Sequence, residues 1–267
     1  MNRLTSDNQM LGYGLMQTYP NISCFSTKRH GGFSQGTYAS FNCNGFAGDN
    51  PDDVARNRQH LVELLGRGPI ELVLPHQTHS DRVAIIDDTY IYKVEEERTA
   101  LLEGVDALVT DQLDKCLCIS TADCIPVLLY DPVRQAIGAA HAGWRGTVMR
   151  IVEKTLRVMT ECFGTQPVDV RACIGPGISQ EAFEVGEEVY EAFAQAGFEM
   201  ERIACRKGKW HLDLWEANRL QLLQQGVLPA HVEVAGICTY AHNDDFFSAR
   251  RQGIHSGRIL SGICLHA

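Results

Sequence analysis

The apolar positions along this chain change their period several times, and each change marks an element. From Asn50 to Gly66, Val54, Leu61, Leu64 and Leu65 recur at helical spacing. Asn50-Pro51 opens that stretch, Asp52 and Asp53 lie in its first turn, and Gly66 closes it, which is the punctuation of a helix. Shorter runs follow: IELVL (70–74), RVAII (82–86), VDALV (105–109), CLCIS (116–120), IPVLLYD (125–131) and AIGAAH (136–141). They are rich in β-branched residues and bounded by polar residues, Gly or Pro, so they predict strands. A helical pattern then runs from Gly143 to about Met159, and VDVRACIG (168–175) reads as a strand. GEEVYEAFAQAG (186–197) and DLWEANRLQLLQQG (213–226) read as helices closed by glycine, and HVEVAGIC (231–238) as a strand. The Gly-, Ser- and Thr-rich stretch STKRHGGFSQGTYASFN (26–42) reads as a loop or hairpin.

Strands interleaved with helices predict an α/β fold with a mixed sheet and helices on its faces. The succession of strand runs between Ile70 and His141 argues against a purely parallel, doubly wound sheet. No repeat, low-complexity tract or Pro/Ser-rich linker divides the chain, so residues 1–267 read as one domain.

Charge and cysteine usage narrow the function. The formal net charge is −9 with no run of Lys or Arg, which argues against nucleic acid as a partner. The amino-terminal residues 1–20 show no export signal, and nowhere do eighteen apolar residues run together, so a cytoplasmic protein without a membrane span is expected. The ten cysteines are scattered without a CxxC pair and read as reduced thiols, most of them small buried hydrophobes.

Two segments concentrate the awkward residues: TADCIPVLLYDP (121–132) and AIGAAHAGWRGT (136–147). If their strands are antiparallel neighbours joined by the turn DPVRQ, the start of one lies beside the end of the other. Cys124 and His141 then meet, as either a metal site or a Cys–His nucleophile pair requires. A buried thiol beside a core histidine is the plainer alternative. LPHQTHSDRV (74–83) offers His76 and His79, and one of them would complete a two-His, one-Cys set for an open zinc site. Arg145 lies at an expected helix start, where backbone N–H groups and a guanidinium suit an anion. Arg250, Arg251 and Arg258 near two phenylalanines form a second candidate anion pocket, with an ordinary solvated face as the alternative. Asp106 and Asp123 are strand-end carboxylates available for acid–base work. GxGxxG is absent.

STKRHGGFSQG, SFN, DDVARNR, QTHSDRV, GVDALVTD, TADCIPVLLYDP, AAHAGWRGT, IGPGIS, FEVGEEV and FFSARR occur in this order. Together they resemble the YfiH, or laccase-domain, family, once called polyphenol oxidases, over about residues 22–264. The resemblance implies a single three-layer α/β/α sandwich domain with a His–Cys–His zinc site. Matched by motif, His79, Cys124 and His141 would be both ligands and catalytic residues, and Asn42, Arg145 and Arg250 would contact substrate. It implies phosphorolysis of adenosine, inosine and methylthioadenosine, with purine nucleosides and phosphate as partners, and adenosine deamination. A monomer or weak homodimer is expected. Copper-dependent phenol oxidation, also attributed to the family, fits worse: three ligands with one thiolate make no multi-copper cluster, and no HxH array occurs. A Cys124–His141 amidase acting on a cell-wall precursor is the rival enzyme class, and a regulatory module binding a nucleoside-like ligand is the non-enzymatic one. Ser80 stands where many members have glycine.

Overall fold

The computed structural model describes the backbone of residues 2 and 3 and the whole of residues 9–267. Residues 1 and 4–8, part of the stretch read as lacking an export signal, lie outside the described residues. The strands, in chain order, are β1 (Asn2–Arg3), β2 (Met10–Gly12), β3 (Ile22–Thr27), β4 (Glu71–Val73), β5 (Val83–Ile85), β6 (Ala107–Thr110), β7 (Lys115–Thr121), β8 (Ile125–Asp131), β9 (Ala136–Ala142), β10 (Arg171–Ile174), β11 (Glu184–Val185), β12 (Ala204–Lys207), β13 (Lys209–Leu212), β14 (Val232–Val234) and β15 (Ile259–Leu265). Among the described residues they form two six-stranded sheets, ordered β1-β2-β3-β15-β7-β4 and β14-β10-β8-β9-β6-β5, and a small three-stranded sheet β11-β13-β12. Both large sheets are mixed: β4/β7, β5/β6 and β10/β14 pair in parallel, and the other pairs are antiparallel.

The strands alternate between two buried faces, and that explains the layering. Leu117, Ile119, Ile263 and Leu265 of the first sheet meet Leu108, Leu128, Tyr130 and Ile137 of the second in one cluster between the sheets. Val109, Val127, Leu129 and Ala140 face the other way, onto Leu156, Met159 and Leu220 of the helices Ile151–Phe163 and Leu214–Gln224. Phe25, Cys116, Cys118 and Leu260 face outward from the first sheet onto Leu61 of the helix Pro51–Leu65. The fold is α/β with mixed sheets, as the sequence indicated. Its layers run helix, sheet, sheet, helix, where the three-layer expectation has a single sheet. Strands buried on both faces look alike in either arrangement.

The helix Pro51–Leu65 forms for the expected reasons. The Asn50 side chain accepts from the N–H groups of Asp52 and Asp53, Pro51 occupies the first turn, and Gly66 at φ +62 ends it. The helix expected from Gly143 to Met159 is instead two, Trp144–Val148 and Ile151–Phe163, because Arg150 sits at φ +63 between them. HVEVAGIC is a strand only over Val232–Val234. Among the described residues no helix is long and apolar enough to cross a membrane.

Candidate metal centre

The turn after Asp131 sets the geometry of this centre. Asp131 Oδ1 accepts from the N–H groups of Val133 and Arg134, closing a tight β8–β9 connection. The resulting register pairs Ile125 with Ala142 and Pro126 with His141, so Cys124 arrives beside the end of β9. Cys124 belongs to the strap Ala122–Cys124 that carries the chain from β7 in one sheet to β8 in the other. Asp123 turns that strap at φ +87, with Oδ1 accepting from the Thr239 hydroxyl and Oδ2 from the Arg250 N–H.

His79 reaches the same point from the loop after β4. It too has a left-handed backbone, φ +63, and a buried carboxylate holds it there. Asp106 Oδ1 accepts from His79 N–H and Oδ2 from the N–H groups of Thr78 and Ser80. The same Oδ1 lies 2.7 Å from His141 Nδ1. One carboxylate therefore shapes the His79 loop and leaves His141 Nε2 as the ring atom available for a ligand. Ser80 is not among the residues with positive φ, and its hydroxyl donates to Gly104 O, so serine is accommodated where many family members have glycine. Gln77 fastens this loop to β7, donating to Ser120 O and accepting from Ser120 N–H.

The donor atoms of His79, Cys124 and His141 all lie within 4.8 Å of one another. His79 Nε2 is 3.8 Å from Cys124 Sγ, and the two imidazole centroids are 4.9 Å apart at 66°. Zinc–nitrogen and zinc–sulfur bonds at a tetrahedral angle would separate the two ligand atoms by about 3.6 Å, so the set fits one such ion. Gly143 makes the approach possible, because a Cβ there would lie 2.9 Å from His79 Cδ2 and 3.0 Å from Cys124 Sγ. Burial pushes the Cys124 thiol up, but His141 and then His79 more than reverse it, to about 6. Burial pushes His141 down, and Cys124 followed by Asp106 lifts it to about 9. Left to themselves, the two side chains form a thiolate–imidazolium pair.

These donors open into a cavity of about 340 Å³, within the ordinary range of small-molecule sites. Phe46, His76, Phe183, Arg250 and Arg258 line it, together with Asp123. His76 stands outside the donor cluster: its ring stacks on Phe46 at 4.4 Å, and its Nδ1 meets Glu103 at 2.8 Å. Arg250 lies over the Phe183 ring and donates to Glu184 O. Arg258 is braced by the carbonyls of Ile254, Ser256 and Gly257.

Two expected substrate contacts fall elsewhere. Asn42 is fully buried and outside the cavity lining, with Nδ2 donating to Asp49 and Oδ1 accepting from the Arg258 N–H, so it braces an arginine of the site. Arg145 is exposed, lies over its neighbour Trp144 and is absent from the cavity lining; the helix Trp144–Val148 to which it belongs has only five residues. Asp106 has both oxygens engaged and orients the loop and the His141 ring. Reading the sequence missed Gln77, Phe46 and Phe183. The first belongs to the QTH motif and Phe183 opens FEVGEEV, whereas nothing local marks Phe46.

The family model described as "Multi-copper polyphenol oxidoreductase laccase" matches residues 23–266. The chain is 56% identical to a purine nucleoside phosphorylase of Bacteroides thetaiotaomicron, over 100% of both chains. It is 41% identical to adenosine deaminase RL5 of an unknown prokaryotic organism, over 91% of this chain and 93% of that one. The crystal structure of Bacillus licheniformis hypothetical protein YfiH superposes with a TM-score of 0.88 at 30% identity, covering 96% of each chain.

Proposed function

The chain belongs to the multi-copper polyphenol oxidoreductase laccase family, and from that premise we propose that this enzyme is a zinc-dependent purine nucleoside phosphorylase. Its substrates are adenosine, inosine and methylthioadenosine, and it also deaminates adenosine. One observation carries the reading: an open two-nitrogen, one-sulfur donor set shares its cavity with two arginines. His79 Nε2, Cys124 Sγ and His141 Nε2 would hold the ion, and zinc bound there would supply Lewis acidity at its open fourth position.

In phosphorolysis a phosphate oxygen bonds to ribose C1′ as the C1′–N9 bond breaks. The purine leaves with the bonding pair and takes up a proton, and ribose-1-phosphate remains. Arg250 and Arg258 provide the positive charge that holds phosphate and steadies it as it attacks, the role first expected of Arg145. His76, steered through Nδ1 by Glu103, delivers the proton to the departing base through Nε2. Phe46 and Phe183 give the purine apolar faces. In deamination a water adds to C6 and ammonia leaves, with His76 again carrying the proton.

The low thiol pKa and the order Cys124–His141–Asp106 also suit a nucleophile, its base and an orienting carboxylate. A nucleophile has no use for the second imidazole 3.8 Å from its sulfur, and a metal ion does. Two histidines and a cysteine also suit mononuclear copper, but ribosyl transfer moves no electrons and needs no redox-active ion. The experiment is product analysis of adenosine with the metal-loaded enzyme. Ribose-1-phosphate and adenine should appear when phosphate is present, and inosine when it is absent. Neither product from a zinc-replete, folded chain would overturn the proposal.

A further inference from the structure

None of the residues at the carboxyl end of the last strand lines the cavity just described, yet they gather a second set of donors. Cys264 lies on β15, His266 follows two residues later, and Asp114 occupies the turn before β7 at φ +58. Strand register brings them together. Cys264 pairs with Cys116 on one side and Ser23 on the other, and the Asp114 N–H donates to Leu265 O at 2.8 Å. Sγ of Cys264, a ring nitrogen of His266 and a carboxylate oxygen of Asp114 all lie within 4.8 Å of one another.

The His266 contacts to Asp114 and Cys264 are long for hydrogen bonds and near the spacing of ligands on one ion, and the convergence of the three groups is what a ligand set requires. His266 Nδ1 is 3.3 Å from Asp114 Oδ1 and 4.0 Å from Cys264 Sγ. The His–Asp contact that orients His141 is 2.7 Å, the usual length for a charge-assisted bond. Two ligands of one tetrahedral zinc lie farther apart: its ordinary bond lengths give about 3.4 Å between nitrogen and oxygen, and about 3.6 Å between nitrogen and sulfur. His266 Nε2 is 2.8 Å from the Ser23 hydroxyl. When that nitrogen carries the proton, the Nδ1 lone pair faces both Asp114 and Cys264, and a cation between them satisfies all three.

We propose that Asp114, Cys264 and His266 form a second site for a borderline-soft divalent ion such as zinc, independent of the cavity and structural in role. Binding replaces the Cys264 thiol proton, which passes to solvent, and leaves a thiolate ligand. The ion ties β15 to the turn before β7 and, through Ser23, fixes the ring against β3. Asp114, with a 41% exposed side chain, is the point of entry.

Cobalt(II) titration of the full chain carrying Cys124→Ser tests this, because that change removes the only thiolate of the cavity set. One cobalt per chain should still bind with a sulfur-to-metal charge-transfer band. Adding Cys264→Ser should abolish the band, and adding His266→Gln or the solvent-exposed Asp114→Asn should weaken binding at least tenfold. No thiolate band in the Cys124→Ser chain overturns the proposal. So does a band that survives Cys264→Ser, or one whose affinity neither Asp114→Asn nor His266→Gln changes.

Discussion

Asp106→Asn is the substitution whose consequences the structure fixes most closely. The carboxylate is fully buried and accepts four hydrogen bonds, two on each oxygen. An amide keeps one carbonyl oxygen. With its NH2 in place of Oδ2, the N–H groups of Thr78 and Ser80 face another donor. With its NH2 in place of Oδ1, His79 N–H is stranded and His141 must move its proton to Nε2, the atom assigned to the metal. Each stranded buried donor costs about 1–3 kcal/mol, so two cost about 4 kcal/mol. At about 2–4 °C per kcal/mol for a chain of this size, Tm should fall by roughly 10 °C. Zinc affinity should fall about 10- to 100-fold, as for other residues that orient a ligand. Burial pushes the Asp106 carboxyl up, but its bonds and charge partnership with His141, then its bonds from Ser80, hold it below the ordinary range. A depressed carboxyl stabilises the fold above the ordinary carboxylate range, and that contribution disappears as pH falls through the folded value. The Tm gap between the two proteins should therefore close in acid. Differential scanning fluorimetry across pH, with zinc competition against a chelator, measures both effects. A variant with Tm within about 1 °C of the parent at neutral pH, and with unchanged zinc affinity, would refute the reasoning.

Three further outcomes follow from the same geometry. His76→Ala should keep full metal content yet lower kcat about 100-fold, as loss of a general acid does; metal analysis beside steady-state rates checks this, and loss of zinc would place His76 among the ligands. Arg250→Ala should raise the KM for phosphate about tenfold with little effect on deamination, whereas Arg145→Ala should alter neither; phosphate titrations of the two variants decide it. In chelator-treated protein, alkylation of Cys124 by iodoacetamide should become fast as pH rises through about 6, well below the range of an ordinary thiol. Returned zinc should slow it at every pH, and fast alkylation of fully active, metal-free enzyme would favour the nucleophile reading.

What the sequence disclosed depended on how locally each feature is encoded. The meeting of Cys124 and His141 was legible because a short turn sets the register of their two strands, and register is a local property. Strand register did not choose between His76 and His79; the motif match did. Both sit in one loop, and what separates them is a carboxylate 27 residues away that holds the backbone around His79. At Arg145 the apolar pattern keeps a helical period from Gly143 to Met159. The positive φ of Arg150 cuts it to one short turn, and no glycine advertises that break. The division into two stacked sheets was also hidden, because a run such as IPVLLYD is apolar on both faces whichever layer covers it. The last strand, Ile259–Leu265, follows an arginine-rich stretch, and Ser261 and Gly262 interrupt its apolar run.

The central claim is most directly tested by the rate of ribose-1-phosphate formation from inosine and phosphate, followed through removal and return of zinc. The rate should disappear on chelation, recover with one equivalent of zinc at the His79–Cys124–His141 centre, and fail to recover in Cys124→Ser. A rate that persists in the chelated enzyme, or in Cys124→Ser, would contradict the account.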